Sequence, residues 1–246
     1  PESPAPVIFL HGLGADSSSW TFQFEPLHAK GFRPIAVDIP GFGKSRYPEY
    51  GWTFRKIAGQ IVNFSKKIGL NSFHLAGLSM GGVIAQQLTL DNPDLVKKLV
   101  LASTFSSLRP ASLSQLFYFI QRALVVHLVG LEAQSRIVAR RVFPDPGQES
   151  LRQIAEEQIR SADPRAYRAA MRSLALFNSE KRLKEISSPT LVIAGENDST
   201  VQPYRQKLLA DKIKSARYRL IKSAGHAVSI DQYRLFNETI LEFLSE

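Results

Sequence analysis

The sequence contains no cysteine. That absence excludes disulfides, thiolate metal sites and a cysteine nucleophile. It leaves the redox compartment open, because proteins of either setting can lack disulfides. Long charged runs are also missing. The net charge is +9 and the pI about 9.8, yet the basic residues are dispersed, with no run of five or more. No nucleic-acid-binding motif appears, so the charge reads as a solvated basic surface and no nucleic-acid partner is expected. The longest apolar stretch, "LSQLFYFIQRALVVHLVGL" at 113–131, is interrupted by Gln115, Gln121, Arg122 and His127, and is a poor bilayer span. The opening "PESPAPVIFLHG" has no basic region ahead of its apolar run, which gives no signal peptide and a cytoplasmic expectation. There are no internal repeats, low-complexity tracts or flexible linkers, and nothing specifies an oligomeric state.

What is present is enough for one large domain, or one domain with an insertion: 246 residues, of which 44% are hydrophobic. Strand-like runs fall at 7–10, 33–38, 72–78, 97–104, 190–195 and 216–222. Several are continuously apolar, as expected of a parallel sheet buried on both faces. Helical patterns lie between them. Phe54, Ile57, Ile61 and Phe64 form one apolar stripe; Tyr233, Phe236, Ile240 and Leu244 form another. The alternation predicts an α/β fold, a mostly parallel sheet flanked by helices. It breaks between 105 and 187, where only helical patterns occur and Asp163-Pro164 supplies a helix start. The expected organisation is a core of 1–104 and 188–246 with a helical cap inserted at 105–187.

The pentapeptide Gly77-Leu78-Ser79-Met80-Gly81 sits between a predicted strand and a predicted helix. A serine raised on a sharp strand-to-helix turn needs small neighbours, because strand and helix approach closely there. Gly77, Gly81 and Gly82 meet that need. Such a serine is a weak nucleophile without a base. Of the five histidines, His74 lies within a strand, His28 on a helix and His127 in the cap region. His226, in "SAGHAV", follows the last strand, at the sheet edge where Ser79 also falls. The base needs a carboxylate to fix its tautomer. "GENDST" supplies one after the strand at 190–195: Asp198 is the expected acid, with Glu196 as the alternative. An Asx turn is the plain structural role for Asp198.

The order Ser79, Asp198, His226, with "HGLG" (11–14) after the first strand and "DIPGFGKS" (38–45) after the second, resembles the serine-nucleophile branch of the α/β-hydrolase fold. The resemblance spans nearly the whole chain, the region 105–187 being its least informative part. It implies a catalytic set of Ser79, Asp198 and His226. The backbone N–H groups of Leu13 and Met80 would form the oxyanion hole, and His11 and Gly12 would shape the loop. It implies no cofactor and no metal. It also implies an antiparallel hairpin before the first strand, which this sequence does not contain. The "GKS" at 43–45 is no phosphate loop, since Asp38 stands where the first glycine belongs.

A serine nucleophile separates the chain from the aspartate-dependent epoxide hydrolases and dehalogenases of that superfamily. The elbow sequence looks most like the enol-lactonase, esterase and perhydrolase branches. The expected activity is carboxylic ester hydrolysis on a small-molecule ester or lactone; lactonase, C–C hydrolase, lyase and a non-catalytic receptor are the alternatives. The region 105–187 holds 13 basic residues against 8 acidic, a net of +5. Arg122, Arg136 or Arg140 could therefore meet a substrate anion. Leu113, Leu116, Phe117, Ile120, Leu124 and Leu128 form an apolar stripe, read as cap core or acyl-pocket wall, with Phe119, Val125 and Val126 off it.

Overall fold

In a computed structural model the chain is described over residues 4–48, 51–108 and 113–246, with the side chains of Ser114, Gln115 and Tyr118 left out. Six strands form one all-parallel sheet: β1 (Ala5–Leu10), β2 (Phe32–Val37), β3 (Phe73–Leu78), β4 (Val96–Ala102), β5 (Thr190–Gly195) and β6 (Ala216–Ile221), in the order β2-β1-β3-β4-β5-β6. All six strand expectations agree with this to within two residues.

The continuous apolar runs have a direct cause. In β1, Ile8 and Leu10 enter one hydrophobic cluster while Val7 and Phe9 enter the other, so both faces of the strand are covered. On the first face lie α2 (Phe54–Lys67), α3 (Met80–Asp91) and α8 (Pro203–Lys212). On the second lie α1 (Thr21–Ala29), the short α9 (Val228–Asp231) and α10 (Tyr233–Ser245). In α2 the Thr53 hydroxyl accepts from the Lys56 amide, Phe54, Ile57, Ala58, Ile61 and Val62 are buried, and Lys66 and Lys67 occupy the last turn. These are the cap, the stripe and the dipole-favoured charge of an amphipathic surface helix.

Between β4 and β5 the chain makes a helical insertion: α4 (Leu113–Leu124), a π-helical turn (Val125–Val129), α5 (Leu131–Val142), α6 (Glu149–Ser161) and α7 (Pro164–Leu176). As expected, Asp163 caps α7, accepting from the amides of Arg165 and Ala166, with Pro164 in the first turn. The two ends of the insertion meet at an antiparallel bridge between Ser107 and Asn178. Fully buried Gln86 of α3 pins that neck. Its amide nitrogen donates to the Phe105 carbonyl at 3.0 Å, and its oxygen accepts from the Ser179 hydroxyl at 2.8 Å.

The stripe on α4 points the other way from the sequence reading. Leu113, Leu116, Phe117, Ile120, Leu124 and Leu128 are all exposed, so they are neither cap core nor pocket wall. The inward face is Phe119, Arg122 and Val126, spaced three and four residues apart: Phe119 and Arg122 line a cavity, and Val126 is buried. Periodicity locates a face on a helix but not the side it turns to.

No helix among the described residues is long and apolar enough to cross a membrane.

Candidate active site

Parallel strands end on one edge, and every predicted site residue lies along it. His11, Gly12 and Leu13 follow β1, Ser79 follows β3, Asp198 follows β5 and His226 follows β6. The chain leaves β1 outward to β2 and returns inward to β3, so β1 and β3 flank the switch point where open α/β sheets form their crevice.

Ser79 joins β3 to α3 with φ 54° and ψ −113°, a conformation costing about 1–3 kcal/mol for a residue with a side chain. The surroundings hold it there. Its amide donates to the Ala102 carbonyl at 2.9 Å, and its carbonyl accepts from the Thr104 hydroxyl at 2.7 Å. The flanking glycines are sterically required. A Cβ on Gly77 would lie 2.4 Å from the Gly81 carbonyl carbon and oxygen, and one on Gly81 would lie 2.0 Å from the Leu10 oxygen. Strand, helix and the neighbouring strand β1 close on one another at this turn. Met80 opens α3, so its N–H is among the first four that have no acceptor within the helix. Across the crevice Ala15 donates to the Gly12 carbonyl at 3.2 Å, which makes Leu13 an inner residue of a tight turn; its own amide plays no part in that bond.

Asp198 and His226 are brought together. His226 Nδ1 lies 2.9 and 3.0 Å from the two Asp198 oxygens, with both residues buried. Asp198 Oδ1 also accepts from the Thr200 and Val201 amides at 2.9 and 2.8 Å, and Oδ2 accepts from Gln206 Nε2 at 3.1 Å. The Asx turn and the histidine contact are therefore made by one carboxylate at once. Such a bonded carboxylate fixes the His226 ring with Nδ1–H toward it and Nε2 directed away. Glu196 turns elsewhere: its carboxylate accepts from the amide of Ser223 at 3.0 Å. Gly195 is tight for the same reason as the elbow, since a Cβ there would meet the Gly225 carbonyl oxygen at 2.2 Å. The loop bearing His226 passes directly over the end of β5.

The other histidines are occupied otherwise. Burial drives the His11 pKa down; its Nε2 accepts from the Ile39 amide at 2.9 Å, and its Nδ1 lies 2.8 Å from the Gly12 carbonyl oxygen. A neutral His11 thus ties the loop after β1 to the loop after β2. His74, within β3, is pushed down to about 4 by burial and by Lys98 and Lys97. His28 and His127 are exposed. In the "GKS" loop, Asp38 accepts from the amides of Ser17 at 2.7 Å and Lys44 at 2.8 Å. Burial alone would raise its pKa, but those amides outweigh burial and hold it below the usual range. Amides that a phosphate would need are taken by a carboxylate.

Ser79, His226, His11, Gly12 and Leu13 line one cavity of about 160 Å³. Its remaining walls are mostly apolar and come largely from the insertion, through Phe105, Phe119, Val138, Phe143, Ile159 and Leu174. Arg122 and Arg141 also line it. Arg136 and Arg140 are exposed, and Arg136 pairs with Glu132 at 2.6 Å. Four residues around the site gave little or no signal in the sequence. Gln206 reads as one polar position on a surface helix. Tyr167 and Gln134 read as unremarked positions in helices. Asp231, after His226, accepts from the Gly225 amide at 2.9 Å and from Gln148 Nε2 of the insertion at 3.2 Å. Burial pushes its pKa up to about 6, against the Gly225 hydrogen bond and the nearby His226. Its only sequence signal is its position five residues past His226.

The comparisons with known proteins agree with this architecture. "Putative carbamate hydrolase RutD" of Variovorax paradoxus (strain S110) is 29% identical over 97% of this chain and 91% of its own length. Among solved structures, the enol-lactonase from Burkholderia xenovorans LB400 superposes with a TM-score of 0.90 at 24% identity, covering 100% of this chain and 93% of that one. A thermophilic esterase from Thermogutta terrifontis superposes with a TM-score of 0.85 at 27% identity, covering 98% and 89%. The family model described as alpha/beta hydrolase fold matches residues 5–233, and this chain belongs to that family.

Proposed function

We propose that the chain is a serine hydrolase of carboxylic esters, with Ser79 as nucleophile, His226 as base and Asp198 as the residue that orients the base. The observation that carries this reading is the shared cavity. The strained elbow serine and a histidine whose Nδ1 is held by a buried carboxylate open onto the same space.

In this reading Ser79 Oγ attacks the ester carbonyl and His226 Nε2 takes its proton. The amides of Leu13 and Met80 stabilise the oxyanion, each such donor being worth about 3 kcal/mol in comparable sites. The tetrahedral adduct collapses to an acyl-serine as His226 returns the proton to the leaving alcohol. Water, deprotonated by His226, then attacks the acyl carbon, and the acid leaves as the proton returns to Ser79. The apolar walls support small to medium acyl groups. The division into a core of 1–104 and 188–246 and a cap of 105–187 gives the insertion the role of acyl-binding wall. A carbamate carbonyl is open to the same attack, and the name of the 29% identical relative supports including carbamates among the substrates tried.

The test is hydrolysis of 4-nitrophenyl esters from acetate to palmitate by the wild type and Ser79→Ala. Turnover of short or medium esters, lost by about 10⁴–10⁶-fold in the variant, is the expected result. Turnover that survives Ser79→Ala overturns the mechanism.

A further inference from the structure

His226 stands between two residues that are both tied to Asp231. The Asp231 amide donates to the Ala227 carbonyl at 2.9 Å, and Asp231 Oδ2 accepts from the Gly225 amide at 2.9 Å. The single turn of α9 thus folds back and closes the loop that carries the base. A Cβ on Gly225 would lie 2.8 Å from Asp231 Oδ2 and 3.6 Å from the Val142 carbonyl oxygen, so a glycine before His226 lets the carboxylate come this close. The other oxygen, Oδ1, accepts from Gln148 Nε2 of the insertion at 3.2 Å. Gln148 is fixed in turn, its Oε1 accepting from the Asp145 amide at 3.1 Å.

The charge of Asp231 is answered differently from that of other half-buried carboxylates. Asp91 pairs with Arg55 and Arg182, each at 3.2 Å. Asp231 pairs with no lysine or arginine among the described residues; its donors are a backbone amide and a neutral glutamine. They satisfy its oxygens without neutralising it. Asp145 of the insertion and Asp198 oppose its ionisation, and His226 favours it. Removing an anion from water with no cation beside it is costly. The positive charge that answers Asp231 exists only while the His226 ring carries a second proton, which is the state that attack by Ser79 creates. An interaction that is stronger in the transition state than before it lowers the barrier.

Resting on the serine hydrolase reading, we propose that Asp231 is a second carboxylate for the base, a positioning residue that holds the His226 loop at Gly225 and stabilises the imidazolium formed during acylation and deacylation. Asp198 meets the ring, and Asp231 meets the backbone that carries the ring. No proton passes to Asp231 in the reaction. Its help requires the ionised form, which prevails above its folded pKa of about 6 and is lost as pH falls through that value.

The experiment measures kcat and KM on a 4-nitrophenyl ester for the wild type, Asp231→Asn and Asp231→Ala between about pH 5 and pH 8, a window that brackets the Asp231 titration. Asp231→Asn keeps the shape and an acceptor for Gly225 but removes the charge. At the alkaline end it should lose about tenfold in kcat, the effect of one interaction with a charged group. KM should hardly move, because Asp231 does not line the cavity. The ratio of wild type to Asp231→Asn should shrink toward one as pH falls through about 6, where the wild-type carboxyl takes up its own proton. Asp231→Ala also frees the Gly225 amide and should lose more at every pH. A merely structural role gives a loss that does not change with pH. Such a loss, or equal kcat in the wild type and Asp231→Asn at the alkaline end, overturns the proposal while leaving the serine mechanism standing; Ser79→Ala tests that mechanism separately. If no ester is hydrolysed, the rate at which a fluorophosphonate labels Ser79 takes the place of turnover, since it needs the same proton transfer to His226, and the same ratios are expected. Equal labelling of the wild type and Asp231→Asn removes the role of Asp231. No labelling of the wild type removes the serine reading and this role with it.

Discussion

The loops at the carboxyl edge of the sheet and the helical insertion above them face the same cavity but are built on different principles. Along the edge, position is set by contact without slack. Gly77, Gly81 and Gly195 each stand where a single added carbon would overlap backbone, and Asp198 is held by two amides and a glutamine before it meets His226. The insertion is held mainly through side chains. Its neck is pinned by Gln86, its inner face packs through small residues such as Ala166, Ala169 and Ala170, and its α4 turns a row of large apolar side chains to solvent. A rigid edge suits residues that must keep hydrogen-bond geometry. An insertion held through side chains suits residues that select a substrate, because side chains can be exchanged without moving the backbone of the edge.

The sharpest way to break this comparison is at the carboxylate. Asp198→Asn keeps the shape but loses the acceptor that fixes the His226 tautomer, and ester turnover should fall by about 10⁴-fold with little change in secondary structure. Circular dichroism beside the kinetics separates that outcome from unfolding. Next comes Gly81→Ala, which sets a methyl group against the Leu10 carbonyl. It should cost about 3 kcal/mol or more in denaturant unfolding; a neutral effect would mean that the elbow has slack after all.

Asp231 joins the two regions, and its titration sharpens the comparison. Its folded pKa of about 6 lies above the ordinary 3.8, so the stability it contributes is fully present below pH 3.8 and lost as pH rises through 6. Asp231→Asn should therefore gain stability relative to the wild type between pH 4 and pH 7, on the order of 1 kcal/mol after solvent screening. Urea titrations at the two ends of that window report it, and a gain toward low pH would contradict the sign. Smallest of all is Leu124→Gln on the exposed face of α4, expected within about 0.5 kcal/mol of the wild type in thermal or urea unfolding. A larger loss would show that the face is covered.

The sequence alone determined the six strands, the parallel sheet, the elbow at Ser79 and the candidates Asp198 and His226. Each of these is local: apolar runs follow from burial on both faces, and glycines around a serine follow from the steric demands of one turn. It left Asp198 and Glu196 as alternatives. Only the passage of the Ala224–His226 loop across the end of β5 separates them, sending one carboxylate to His226 and the other to Ser223. The orientation of α4 was equally beyond the sequence. An amphipathic pattern says that a helix has two faces, and it takes the packing of α5 and α7, with Gln134 and Tyr167 reaching for Arg122, to decide which one looks inward.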